Sequence, residues 1–68
     1  DKQAFKDIIR TYESMSAKKA AAIISALDDA DAVQILSNVQ ADSLAVILER
    51  MEPNDAARLT KQLADASE

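Results

Sequence analysis

Apolar residues recur along this chain at intervals of twelve. Met15, Leu27, Val39, Met51 and Leu63 stand at equal spacing, without a slip. Five places after each of the first four come Ala20, Ala32, Leu44 and Ala56, and one place further come Ala21, Val33, Ala45 and Ala57. Then follow Ile23, Ile35, Ile47 and Leu59, and beside them Ile24, Leu36, Leu48 and, as the exception, Thr60. Four copies at one period make a repeat, and a repeat sets the architecture before any local propensity does.

Within a copy the apolar positions follow i, i+3, i+4, i+7 spacing, which is one face of an α-helix. A continuous helix turns about 100° per residue, so twelve residues carry that face round by about 120°. One unbroken helix would spread these residues over its whole circumference. Twelve also matches neither a heptad nor an eleven-residue repeat, so a coiled coil does not account for it. The face survives only if the helix breaks once per copy.

The breaks have local signals. Ser16, Asp28, Gln40 and Glu52 follow the anchoring residues. Ser and Asp are good N-caps, because a side-chain oxygen accepts from the free N–H groups of the first turn. Pro53 suits the first position of a helix. Asp31 and Asp55 fall in first turns, where a carboxylate favours the helix dipole. The break at Gln40-Ala41 is the weakest, with its cap at Gln40 or shifted to Asp42. The spacing predicts helices over 17–26, 29–38, 41–50 and 53–65. A longer amphipathic helix over 2–14, marked by Ala4, Phe5, Ile8, Ile9 and Tyr12, precedes them as a cap or as the end of an earlier helix. Helices this short are not stable alone, so each must bury its face on neighbours in an all-α superhelical stack. The expected core is Ile23, Ile35, Ile47 and Leu59, with Met15 and Met51 filling space beside them.

Composition narrows the chemistry. The 68 residues contain no Gly, one Pro, no Cys and no His. This favours helix throughout, excludes disulfides and thiolate metal sites, and removes the usual general base. A net charge of -4, from eight Lys or Arg against twelve Asp or Glu, argues against nucleic acid as a partner. No apolar run approaches the roughly 20 residues of a bilayer-spanning helix. The expectation is a single domain over 1–68, with residues 1–14 as the N-terminal helix and 15–66 as four repeat helices. The chain starts at Asp1 rather than Met, which suggests excision from a longer protein.

Several residues could carry function, each beside a plainer role. Asp28, Asp29 and Asp31 are the densest acidic cluster and could attract a divalent cation through oxygen ligation. They lack the glycine and ligand spacing of a calcium loop, and capping with dipole complementation explains them more simply. Lys18 and Lys19 lie in a first turn, where cations are mildly unfavourable; an acidic partner or nearby Glu13 could explain them, and an ordinary solvated face is the plainer role. Tyr12 is a docking anchor or a ring on the core face with its hydroxyl in water. Val46 stands where the other copies have Ala22, Gln34 and Arg58, so it is expected on the outside. With Arg50 and Asp42 one turn away, it could centre a contact patch, or it is an isolated exposed apolar residue that needs no explanation. Ser14, Ser16, Ser25, Ser37 and Ser43 offer hydroxyls, but nothing positions a base beside them. Catalysis is not expected, and no cofactor is implied.

Particular stretches resemble a known family. "YESMSAKKAAAIISALDDADAVQIL", "AVILERMEPNDAARLTKQLAD" and the twelve-residue beat are similar to the intracellular N-domain of the MgtE magnesium channels. The same helical module occurs in the flagellar motor switch protein FliG. The match extends over about residues 8–65. It looks closest to flagellar-operon proteins related to the motility chaperone MotE, where such a domain follows a membrane anchor and a coiled coil. Their Tyr-Glu-x-Met pattern reads here Tyr12-Glu13-Ser14-Met15. Their Met-Asp-Pro-x-x-Ala-Ala-x-Leu-Thr-x-x-Leu-Ala pattern runs from Met51 to Ala64 with Glu52 in second place, and includes the exceptional Thr60. The chain is less rich in acidic and Leu residues than the MgtE domains usually are.

The resemblance implies a right-handed helical stack that docks a partner and does no chemistry. The leading expectation is a protein-interaction domain of a flagellar or motility-associated protein, with a membrane-associated parent, no membrane contact of its own, and self-association as one form of docking. The alternative is a cytosolic magnesium-sensing domain of an MgtE-type channel, binding divalent ions at acidic faces and repacking against a neighbouring domain.

Overall fold

The structure is a computed structural model and describes residues 1–66. Five helices follow one another: α1 Lys2–Ser14, α2 Ala17–Ala26, α3 Asp29–Leu36, α4 Ala41–Glu49 and α5 Pro53–Ala66. There is no strand among the described residues. Every break falls at an expected place.

The breaks are built in two ways. At the first two, the C-cap and the next N-cap are both extended: Met15 has ψ 160 and Ser16 ψ 141, then Leu27 has ψ 162 and Asp28 ψ 149. Two extended residues turn the chain without a loop, and the anchoring Met15 and Leu27 pack partly buried against the core. Ser16 caps α2 by accepting from the Lys19 N–H at 3.3 Å. Asp28 occupies the N-cap of α3 without a side-chain cap hydrogen bond. The third and fourth helices instead end on right-handed residues, Ser37 and Arg50. α3 stops at Leu36, two residues short of the expected Asn38. There Ser37 Oγ and Asn38 Nδ2 both donate to the Gln34 carbonyl, at 3.1 and 2.8 Å. These local bonds take over a carbonyl that further helix would use, which is how Ser and Asn compete with helix.

The helices pack two apart: α2 lies on α4, and α3 on α5. The largest fully buried side chains are Ile24, Leu36, Ile47 and Leu59, one from each repeat helix. Ala20, Ala21 and Ala32 are buried beside them, small enough to let helix backbones approach. The Cα radius of gyration is 11.0 Å. A globular chain of this length has about 11 Å, so the helices pack into a compact body rather than a drawn-out array.

Ile35, Ile47 and Leu59 are buried as expected, but Ile23 is 40% exposed and its neighbour Ile24 is fully buried. The reason lies in each helix's place in the stack. α2 is covered from later helices and α5 from earlier ones, so they turn opposite halves of the same stripe inward. α2 buries Ala21 and Ile24, α3 buries both Ile35 and Leu36, and α5 buries Leu59 while Ala57 and Thr60 face out. The drift also accounts for Thr60, the polar exception, which occupies a place that is solvent-facing in the last copy. Met51 is buried and Met15 partly so.

This drift sets a simple contrast. Ile24→Ala should destabilise the domain by about 2–5 kcal/mol, the usual range for truncating a buried Ile. Ile23→Ala, one residue away, should cost less than about 1 kcal/mol. Denaturant melts of the two variants decide it; equal losses would mean that the stripe in α2 is turned differently.

Candidate functional site

The acidic cluster is the first place where chemistry was expected. Asp29, at the start of α3, has both carboxylate oxygens engaged by α5. Arg58 Nε and Nη2 donate to its two oxygens at 2.9 and 3.2 Å, and Gln62 Nε2 donates at 2.9 Å. Arg58 also reaches Asp55 through Nη1 at 2.9 Å. The hydrogen bonds from Arg58, and then from Gln62, hold the Asp29 carboxyl below its ordinary value. The Arg58 guanidinium is held above its own, first by Asp29 and then by Asp55. The bridge is 40–45% exposed on its two main partners, so water and salt screen it. Its work is geometric: a bidentate fork fixes how α3 and α5 lie against each other.

The three aspartates therefore have separate surroundings. Asp29 is an internal tie, Asp28 holds an N-cap position, and Asp31 stands exposed in the first turn of α3. Among the described residues, no group of three or more His, Cys, Asp or Glu stands together in a form that could hold a metal ion.

A second long-range tie was not legible from local patterns. Glu13, near the end of α1, accepts from the backbone N–H of Gln40 at 2.8 Å. Gln40 is the N-cap of α4 and makes no side-chain cap of its own. Glu13 thus does from 27 residues away what the glutamate of a capping box does from three. Lys18 and Lys19 are exposed and have no ion-pair partner among the described residues, so Glu13 does not account for them. Asp42 lies in the first turn rather than at the cap, and accepts from the Ser43 N–H at 2.9 Å.

Beside this tie, residues of α1 and of the α3–α4 turn line an open groove of about 750 Å³. Phe5 and Ile9 form its floor, Lys2, Lys6 and Arg10 one wall, and Gln34 and Gln40 belong to the other. Sequence reasoning passed over the three cations, although their four-residue spacing was a readable signal. Tyr12 is half-buried against the core. Val46 is 45% exposed, and Arg50 and Asp42 are exposed on the same helix and its cap. Ser14, Ser16 and Ser37 commit their hydroxyls to backbone groups.

These features define a small all-helical domain whose polar side chains tie helix to helix. The family model described as the MgtE intracellular N domain matches residues 4–68, and the chain belongs to that family. Comparison with curated proteins and with solved structures returned no match. The likeness to FliG and to the MotE-related proteins rests on the sequence motifs alone.

The bridge makes a prediction about acid. A carboxyl whose value is lowered on folding adds stability above the ordinary range, near 3.9, and loses it as pH falls through the lowered value. Asp29→Asn should therefore flatten the acid limb of stability as pH falls below the ordinary carboxyl range. Urea midpoints taken as pH is lowered measure it. An unchanged acid limb in Asp29→Asn would mean that the bridge does not form in solution.

Proposed function

We propose that this domain is a noncatalytic regulatory module of an MgtE-type magnesium-transporting protein, acting by how it packs against a neighbouring domain. The family match over residues 4–68 carries the reading. The side chains agree with it: Asp29 and Glu13 hold the domain's own shape. Asp28 and Asp31 remain solvated at one end of α3. A hard divalent cation prefers six or more oxygens. Two exposed carboxylates supply a fraction of that shell, and the neighbouring domain supplies the rest. Magnesium then acts between domains.

The isolated chain should accordingly melt at nearly the same temperature with and without millimolar Mg²⁺. Binding at ten times Kd would stabilise it by about 1.4 kcal/mol, which is easily seen. A longer chain that includes the following domain should become more compact with Mg²⁺ by small-angle scattering. Asp28→Asn with Asp31→Asn should remove that response. No compaction in the longer chain would refute the regulatory reading.

A second reading, a docking domain of a motility-associated protein, is supported by the Tyr12–Met15 and Met51–Ala64 motifs and by exposed Val46. On this reading Val46→Glu should leave melting unchanged and weaken self-association or partner capture at least tenfold, because a charge must be desolvated in the contact. Sedimentation of the parent and the variant tests it, with pull-down against the neighbours of the full-length protein. Unchanged association would remove Val46 as a contact.

A further inference from the structure

We infer that the groove between α1 and the α3–α4 turn is a docking site for an acidic amphipathic helix of another polypeptide. It is separate from the acidic end of α3, and it does not depend on the magnesium reading.

Charge carries the argument. The chain has a net charge of -4, yet Lys2, Lys6 and Arg10 line one wall together. None of the three has an ion-pair partner among the described residues. The two carboxylates nearby are already committed to backbone N–H groups, Asp1 to Gln3 at 3.0 Å and Glu13 to Gln40 at 2.8 Å. Both carboxylates keep their charge, but neither pairs with Lys2, Lys6 or Arg10, which stay open.

Spacing selects the occupant. Cations four residues apart on a helix repeat every ~6 Å, so the row from Lys2 to Arg10 spans ~12 Å. A second helix lying along α1 repeats its own carboxylates at the same interval when Asp or Glu recurs every four residues. Its apolar edge then falls on half-buried Phe5, with Ile9, 7% exposed, beside it. The Gln34 and Gln40 side-chain amides, which have no partner among the described residues, meet polar groups on the far side. This is helix-in-groove recognition with an electrostatic rim. A nucleic acid would meet an anionic protein. A lipid surface would call for a broad apolar face with cations flanking it, whereas here the cations wall a concave site.

The test uses a designed fifteen-residue peptide with Glu at every fourth position and Leu on the adjoining face. Its controls are a peptide of the same composition with that face scrambled, and phosphatidylserine vesicles. Titrated into the ¹⁵N-labelled chain, the peptide should shift amides of Lys2 to Arg10, Gln34 and Gln40 and few others, less so as salt rises. Lys6→Glu with Arg10→Glu should weaken binding at least tenfold. Lys18→Glu with Lys19→Glu, the same charge change elsewhere, should not. Lys6→Gln with Arg10→Gln gives a second measure if the reversed pair disturbs folding, which circular dichroism reports. Equal response to the scrambled peptide, equal loss from the Lys18 and Lys19 pair, shifts produced by vesicles and not by peptide, or no shift at all would each overturn the proposal.

Discussion

No helix here can persist without the others. The longest has 14 residues and the shortest eight, and isolated helices below roughly 12–15 residues are marginal in water. Each therefore exists because its apolar face is covered by other helices, α2 with α4 and α3 with α5 above all. The repeat of twelve follows from the same need. It is long enough for two turns and a break, and the break lets the next helix set off in a new direction with its apolar face still turned inward. Small residues at the fifth place, Ala20 and Ala32 above all, let backbones come close enough for that cover to exclude water.

Breaks were readable from sequence because they are made locally. Ser16 accepts from the Lys19 N–H, Asp28 stands at the N-cap of α3 and Pro53 presets the first turn of α5, so their meaning survives without the fold. Which half of a stripe is buried is a different kind of fact. Ile23 and Ile24 are both isoleucine and adjacent, and only the position of α4 relative to α2 makes one of them core. The ties across the fold were hidden for the same reason. Glu13 meets Gln40 and Asp29 meets Arg58 over 27 and 29 residues, distances at which composition and spacing say nothing. The three cations of α1 were legible as a pattern, but their significance needed the groove to be seen beneath them.

One place in the repeat shows how a shared frame takes on different duties. Ala22, Gln34, Val46 and Arg58 are equivalent and all exposed, so folding leaves them free to vary. Gln34 lines the groove, Arg58 forks onto Asp29, and Val46 presents an apolar side chain to water. Surface identity is written at positions the core does not need. Membership of the MgtE intracellular N-domain family accordingly describes the frame better than it describes the partners.

The interleaving of α2 with α4 and α3 with α5 has a further consequence. In a simple ladder of repeats each unit touches the next, so the array can shorten or fray from either end. Here any cut between Leu36 and Ala41 severs both pairs at once, because each pair has one member on either side. The two fragments would each carry half of every main interface and no finished core. They would be complementary pieces, able to regain structure by meeting and not by folding separately. A chain with the sequence of a modular array is thus, mechanically, a single indivisible unit.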